Sequence, residues 1–126
     1  MNHLISLTFF SVMSLFNFVD DKIQFPGEIE NWTSYATQVE QHERFSDDCD
    51  SIALTCVELL IRRGYPRDQL YLCTVITERG EHHLVGIADG SLLDMRMPVV
   101  WQWDEVFYEY QSCMKMSDIG TWRTVE

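Results

Sequence analysis

Three residue types that thiol chemistry requires occur in this chain in a workable order. Cys49 lies in Asp47-Asp48-Cys49-Asp50-Ser51-Ile52-Ala53, His82-His83-Leu84-Val85 follows downstream, and Leu92-Leu93-Asp94 comes after that. A thiolate attacks, an imidazole takes and returns the proton, and a carboxylate holds the imidazole in the useful tautomer. The local pattern puts the cysteine at a helix start, the histidine at a strand start and the aspartate on the next strand.

A free cysteine has a pKa of ~8.5 and is mostly protonated at neutral pH. In the first turn of a helix, unpaired backbone N–H groups and the positive dipole end favour its thiolate. The same N–H groups can hold the oxyanion of a tetrahedral intermediate. Asp47, Asp48 and Asp50 oppose this, because nearby negative charge raises a thiol pKa. An imidazolium partner or a bound cation would have to offset them. The acids therefore serve either as helix caps, with Asp48 at the N-cap, or as a Ca²⁺ site.

Along a strand, His83, Val85 and Ile87 share one face while His82, Leu84 and Gly86 share the other. His83 leads directly into the apolar run and is the better candidate base. With Asp89-Gly90 as a hairpin turn, Asp94 falls near the level of His83. Structural roles remain open for each residue: the histidines as turn residues, Asp94 as a cap before Pro98.

The elements that must position these groups are legible in the pattern. Leu4 to Val19 is nearly all apolar, yet no Lys or Arg precedes it, and Asp20-Asp21-Lys22 follows where a cleavage site would lie. The run is shorter than the ~20 residues a bilayer needs. Thr8, Ser11, Ser14 and Asn17 recur every third residue, a polar stripe on a largely buried first helix. An uncleaved signal-like anchor is the alternative. Lys22 to Phe25 reads as a short extended piece before Pro26-Gly27. Asn31 or Thr33 can cap a second helix through about His42.

Asp48 to Arg63 is the clearest helix. Its wide apolar stripe predicts a central, buried position, and Gly64 and Pro66 end it. Strands are expected at Leu70 to Thr77, His83 to Ala88 and Ser91 to Met95. A helical turn at Trp103 to Phe107 follows. Tyr108 to Met116 and Thr121 to Val125 read as a last hairpin around Asp118-Ile119-Gly120. Helices first and an antiparallel sheet afterwards give a single α+β domain over residues 1–126.

Composition bounds the partners. The 126 residues are 46% hydrophobic, enough for one packed core, and carry a net charge of -11. So acidic a surface repels nucleic-acid phosphates and anionic lipid, which leaves protein or peptide partners. A chain this apolar needs no staples, so Cys49, Cys56, Cys73 and Cys113 are all expected to be reduced. No Cys-x-x-Cys pair or Gly-rich phosphate loop suggests zinc or nucleotide. The localisation expected is cytoplasmic, with the alternative that the chain is exported or membrane-associated through residues 4–19.

The motif around Cys49, with His83-Leu84-Val85 and Leu93-Asp94, resembles the bacterial transglutaminase-like cysteine peptidases of the papain-like superfamily. Their hallmark is Gly-Asp-Cys-Glu-Asp-x-Ala at a helix start, then His-x-Val, then Leu-Asp. Trp32 and the helix after it are similar to the family's tryptophan-containing helix. Gly120-Thr121-Trp122 is similar to its glycine-tryptophan strand. The resemblance implies a papain-like/transglutaminase-like core, with the cysteine-bearing helix packed on an antiparallel sheet. It further implies Cys49 as nucleophile, His83 as base and Asp94 as orienter. The best-known members are periplasmic proteases that clip surface adhesins and bind calcium beside the cysteine. Here Asp47, Asp50 and Ser51 stand where the motif has Gly, Glu and Asp. Compact relatives occur in phage genomes, so a phage or mobile-element source belongs to the expectation.

Two functions follow. One is a thiol hydrolase or acyltransferase acting on peptide or glutamine amides, with no required cofactor. The other is an inactive acidic binding or inhibitor protein on the same fold.

Overall fold

The computed structural model describes residues 3–16, 32–46, 49–97 and 99–126; of Cys49 it describes only the backbone. Helix α3 (Cys49–Arg62) organises the chain. From Asp50 to Leu60 every residue is buried, as the wide stripe of Ile52, Ala53, Cys56, Val57, Leu59 and Leu60 requires. Gly64, at φ +93°, ends it. Tyr65 N–H donates to the Leu60 carbonyl (2.9 Å) and Gly64 N–H to that of Ile61 (3.0 Å), the Schellman pattern that satisfies the last carbonyls.

One side of α3 is covered by α1 (His3–Leu15), α2 (Ala36–Glu40) and β1 (Thr33–Ser34). The other side packs on a five-stranded antiparallel sheet in the order β5-β4-β3-β2-β6. Its strands are β2 (Leu70–Ile76), β3 (His82–Ala88), β4 (Ser91–Leu93), β5 (Trp101–Gln102) and β6 (Glu109–Lys115). A Cβ on Gly86 would lie 3.3 Å from Val57 Cγ2 and 3.5 Å from Leu93 Cβ; glycine lets helix and strand approach this closely. Asp89 (φ 49°) and Gly90 (φ 80°) turn β3 into β4, and two positive φ values suit the twist of a two-residue hairpin. The far face of the sheet carries a second cluster of Cys73, Val75, Val85, Ile87, Leu92 and Tyr108.

Several expectations need correction. The four cysteines are not all reduced: Cys73 and Cys113 form a disulfide. They are register partners on β2 and β6 with Cα atoms 4.1 Å apart, and composition cannot reveal a pairing that strand register creates. The closing hairpin is absent, because β6 pairs with β2 while β7 (Arg123–Thr124) pairs in parallel with β1. Thr33 is accordingly a strand residue and α2 starts only at Ala36, with Ser34 Oγ accepting from Ala36 N–H (3.3 Å). In α1, Ser11 and Ser14 are exposed but Thr8 is buried, and Leu7 and Phe10 are 53% and 66% exposed, so the three-residue stripe does not divide inside from outside. No described helix is long and apolar enough to cross a membrane. The expected extended piece at Lys22 to Phe25 and the caps Asn31 and Asp48 lie outside the described residues.

The β1–β7 pair is tied to α3 by a residue the sequence did not single out. Buried Glu58 accepts from Ser34 Oγ (2.9 Å), Trp122 Nε1 (2.6 Å) and Thr124 Oγ1 (2.6 Å), and pairs with Arg62 (3.1 Å). Glu58→Ala strands these donors and should lower stability by about 3 kcal/mol in urea unfolding; an unchanged midpoint would show that the carboxylate ties nothing together. Thiol titration of the unreduced, denatured chain should count two thiols, Cys49 and Cys56. A count of four would contradict the Cys73–Cys113 bond.

Candidate active site

Strand β3 presents His83 on the face it shares with Val85 and Ile87, while Leu84 and Ala88 join the α3-side core. Because Leu93 is level with Gly86, Asp94 follows one diagonal step from His83, a distance that a ring can span. Both side chains are buried, at 4% and 1% exposure. His83 Nε2 and Asp94 Oδ1 are 2.5 Å apart. An ionised carboxylate only accepts, so Nε2 carries a proton, and in the neutral ring Nδ1 keeps a lone pair for proton transfer.

Asp94 has further donors. Its Oδ1 also accepts from Arg96 N–H (3.0 Å), and Met97 N–H donates to its carbonyl (3.0 Å). The turn-capping role left open for Asp94 therefore exists beside its bond to His83. Tyr108 Oη donates to Oδ2. Burial alone would raise the Asp94 carboxyl, but the hydrogen bond and charge of His83, the Tyr108 hydroxyl and the Arg96 amide together hold it below its ordinary range. Burial, then the hydrogen bond to Asp94 and its charge, push the Tyr108 phenol well up, so it stays a donor.

Of the predicted site residues, His83 and Asp94 are brought together. Cys49 opens α3, and its side chain lies outside the described residues, as do Asp47 and Asp48. Asp50 is buried in the first turn of the helix. Among the described residues, no three His, Cys, Asp or Glu side chains converge as a metal site. His82 is exposed. Cys56 is fully buried and its thiol is pushed far up by desolvation, which makes it a small hydrophobe rather than a nucleophile. A groove of about 450 Å³ lies beside the Asp94 turn, lined by Phe9, Phe10, Met13, Met95, Arg96 and Met97.

Tyr108, Arg96 and Glu78 were missed. Tyr108 reads as a strand residue and nothing in the pattern singles out Arg96 or Glu78, so only tertiary packing joins them to the site.

A carboxyl depressed on folding contributes stability that is fully present above its unfolded pKa, ~3.9, and lost as pH falls through its folded value. Wild-type stability should therefore decline as pH drops below about 4, measured by urea unfolding. Asp94→Asn should be less stable near neutrality and show a shallower acid slope. Identical acid slopes would mean that Asp94 is not held ionised by the fold.

A family model described as bacterial transglutaminase-like cysteine proteinase matches residues 11–126. No curated protein sequence matches the chain. Among solved structures, LapG of Legionella pneumophila superposes with a TM-score of 0.62 at 17% identity, covering 94% of this chain and 68% of that one. Its EGTA-treated form gives 0.60 at 16% identity, over 87% and 63%. Its calcium-bound form gives 0.58 at 16% identity, over 92% and 71%. At such identities the superpositions speak for the fold, the papain-like/transglutaminase-like α+β core. The family match spans α3, the whole sheet and the His83–Asp94 pair, and it is on that match that this chain belongs to the bacterial transglutaminase-like cysteine proteinases, a family of cysteine peptidases.

Proposed function

We propose that the chain is a thiol-dependent hydrolase or acyltransferase acting on peptide or glutamine amides, with Cys49 as nucleophile, His83 as base and Asp94 as orienter. The buried His83–Asp94 hydrogen bond carries this reading, because a buried carboxylate with no water to solvate it is expensive unless the fold uses it.

The level of Cys49 supports it. From α3 the chain turns at Gly64 and runs back along β2, and β3 is antiparallel to β2, so β3 runs in the same sense as the helix. Val57 meets Gly86. Back from Val57 to Cys49 is about 12 Å of helix, and back from Gly86 to His83 is about 10 Å of strand. The cysteine end of α3 and the histidine end of β3 are thus at one level. His83 lies on the sheet face turned from the helix, so the reading requires the sulfur to meet Nδ1, about 3–4 Å away, around that end of β3.

In the reaction, Nδ1 takes the Cys49 proton and the thiolate adds to the amide carbon. First-turn N–H groups hold the resulting oxyanion. The C–N bond then breaks as Nδ1–H protonates the departing amine, which leaves an acyl thioester on Cys49. Water or an amine, deprotonated by Nδ1, adds to the thioester, and collapse expels the thiolate. Asp47, Asp48 and Asp50 are hard oxygen donors of the kind calcium takes. An ion held there would offset the negative charge beside the sulfur.

At neutral pH an ordinary thiol is a few per cent ionised, so a fully formed thiolate should react with iodoacetamide about 30 times faster. We expect Cys49 to label at that faster rate in the native protein and at the ordinary rate after unfolding or in His83→Ala. Cys49→Ala should abolish peptide-bond cleavage or acyl transfer. If Cys49 labels no faster native than unfolded, the catalytic reading fails. A biological effect that survives Cys49→Ala would instead mark the chain as a binding protein on this fold.

A further inference from the structure

We propose that Glu78, Arg96 and Tyr108 form a positioning chain that locks the Asp94 carboxylate onto the His83 ring. The inference rests on the reading of Cys49, His83 and Asp94 as a triad. A carboxylate held at one oxygen can still rotate about its Cβ–Cγ bond. Asp94 is held at both: Oδ1 by His83 Nε2 and Arg96 N–H, Oδ2 by the Tyr108 hydroxyl.

Tyr108 has a single proton, and its direction is set from behind. Arg96 Nη1 donates to the Tyr108 oxygen at 3.0 Å, and the guanidinium lies 5.7 Å over the Tyr108 ring. With that lone pair occupied, the phenol proton goes to Asp94 and the hydroxyl becomes a stronger donor. Arg96 is in turn held by Glu78, which accepts from Nη1 (3.3 Å) and from Nη2. This anchor matters because a guanidinium paired directly with Asp94 would compete with the imidazole for the carboxylate. The side-chain cation is kept one hydroxyl away.

The three residues come from the turn after β2, the turn after β4 and the segment before β6. Among the described residues, the ionisable groups facing Asp94 are His83 from β3, Arg96 with its Glu78 partner, and Tyr108. Tyr110 of β6 also feels the charge of Asp94. Burial and that charge push the Tyr110 phenol up to about 12, and its hydroxyl is spent on the Trp103 carbonyl at 3.1 Å, so it is no substitute donor.

The alternative is that Tyr108 only packs, since its ring belongs to the cluster with Val85 and Ile87. Tyr108→Phe keeps the ring and removes the hydroxyl. Two readouts separate the roles. The first is the ¹³C titration of the Asp94 carboxyl by NMR, which should move to higher pH. The second is the pH–rate profile of Cys49 alkylation, whose acid limb should move the same way while the rate at neutral pH falls by part of the roughly 30-fold that full ionisation gives. Glu78→Gln should move the Asp94 titration in the same direction by less. Its effect should vanish in the Tyr108→Phe background, because it acts through the hydroxyl. An Asp94 titration unmoved in Tyr108→Phe, or Glu78→Gln effects that add in full to it, would overturn the proposal. If Tyr108→Phe does not fold, Glu78→Gln decides alone, and an unmoved titration overturns the chain. The NMR readout needs no thiol reactivity, so an unreactive Cys49 would sink the triad and leave this test standing.

Discussion

The arrangement of the sheet depends on one buried charge. Asp94 is nearly solvent-free, and an ionised carboxylate in that position costs several kcal/mol unless hydrogen bonds replace its water. The fold supplies three hydrogen bonds from three parts of the chain: His83 on β3, the Arg96 amide in the turn after β4, and the Tyr108 hydroxyl, which has the Arg96 guanidinium behind it. Meeting them fixes the hairpin register, the course of the chain after β4 and the start of β6 together. A one-residue slip of β4 would turn the carboxylate to the other face and leave it unpaired.

Helix α3 provides the other constraint. Its apolar residues face both ways, so it must lie between layers. The sheet can approach because Gly86 has no side chain, and the β1–β7 pair stays because Glu58 gathers donors from both strands and from Trp122. The helix thereby becomes a fixed beam whose first residue is Cys49. In the role proposed for it, Cys49 at the end of such a beam needs little ordering when substrate arrives, the pre-organisation on which proximity effects depend.

What could be read from residues alone follows the range of the interaction. Helix α3, strands β2 to β4 and the Asp89-Gly90 turn rest on local periodicity, caps and positive φ, and all were visible. The His83–Asp94 pair was visible for the same reason, since a two-residue turn sets its register. Pairings that join distant segments were not. β6 lies against β2 rather than beside the C-terminal strand, and with that misplacement went the Cys73–Cys113 bond. Tyr108 was hidden likewise: fourteen residues beyond Asp94, it reaches the carboxylate only because the chain crosses to the opposite edge of the sheet.

That crossing gives the disulfide a structural meaning independent of any chemistry at Cys49. β6 is an edge strand, and its register with β2 shifts between Thr74 and Val75, an irregularity that weakens a ladder where it occurs. The Cys73–Cys113 bond lies on one side of the shift, and Tyr108 lies just beyond the strand on the other. A covalent tie there removes slipped pairings from the strand's alternatives, and so protects the position of the hydroxyl that holds Asp94. The groups on which the carboxylate depends are thus anchored twice, by the hydrogen bonds that satisfy it and by the bond that keeps their strand in register.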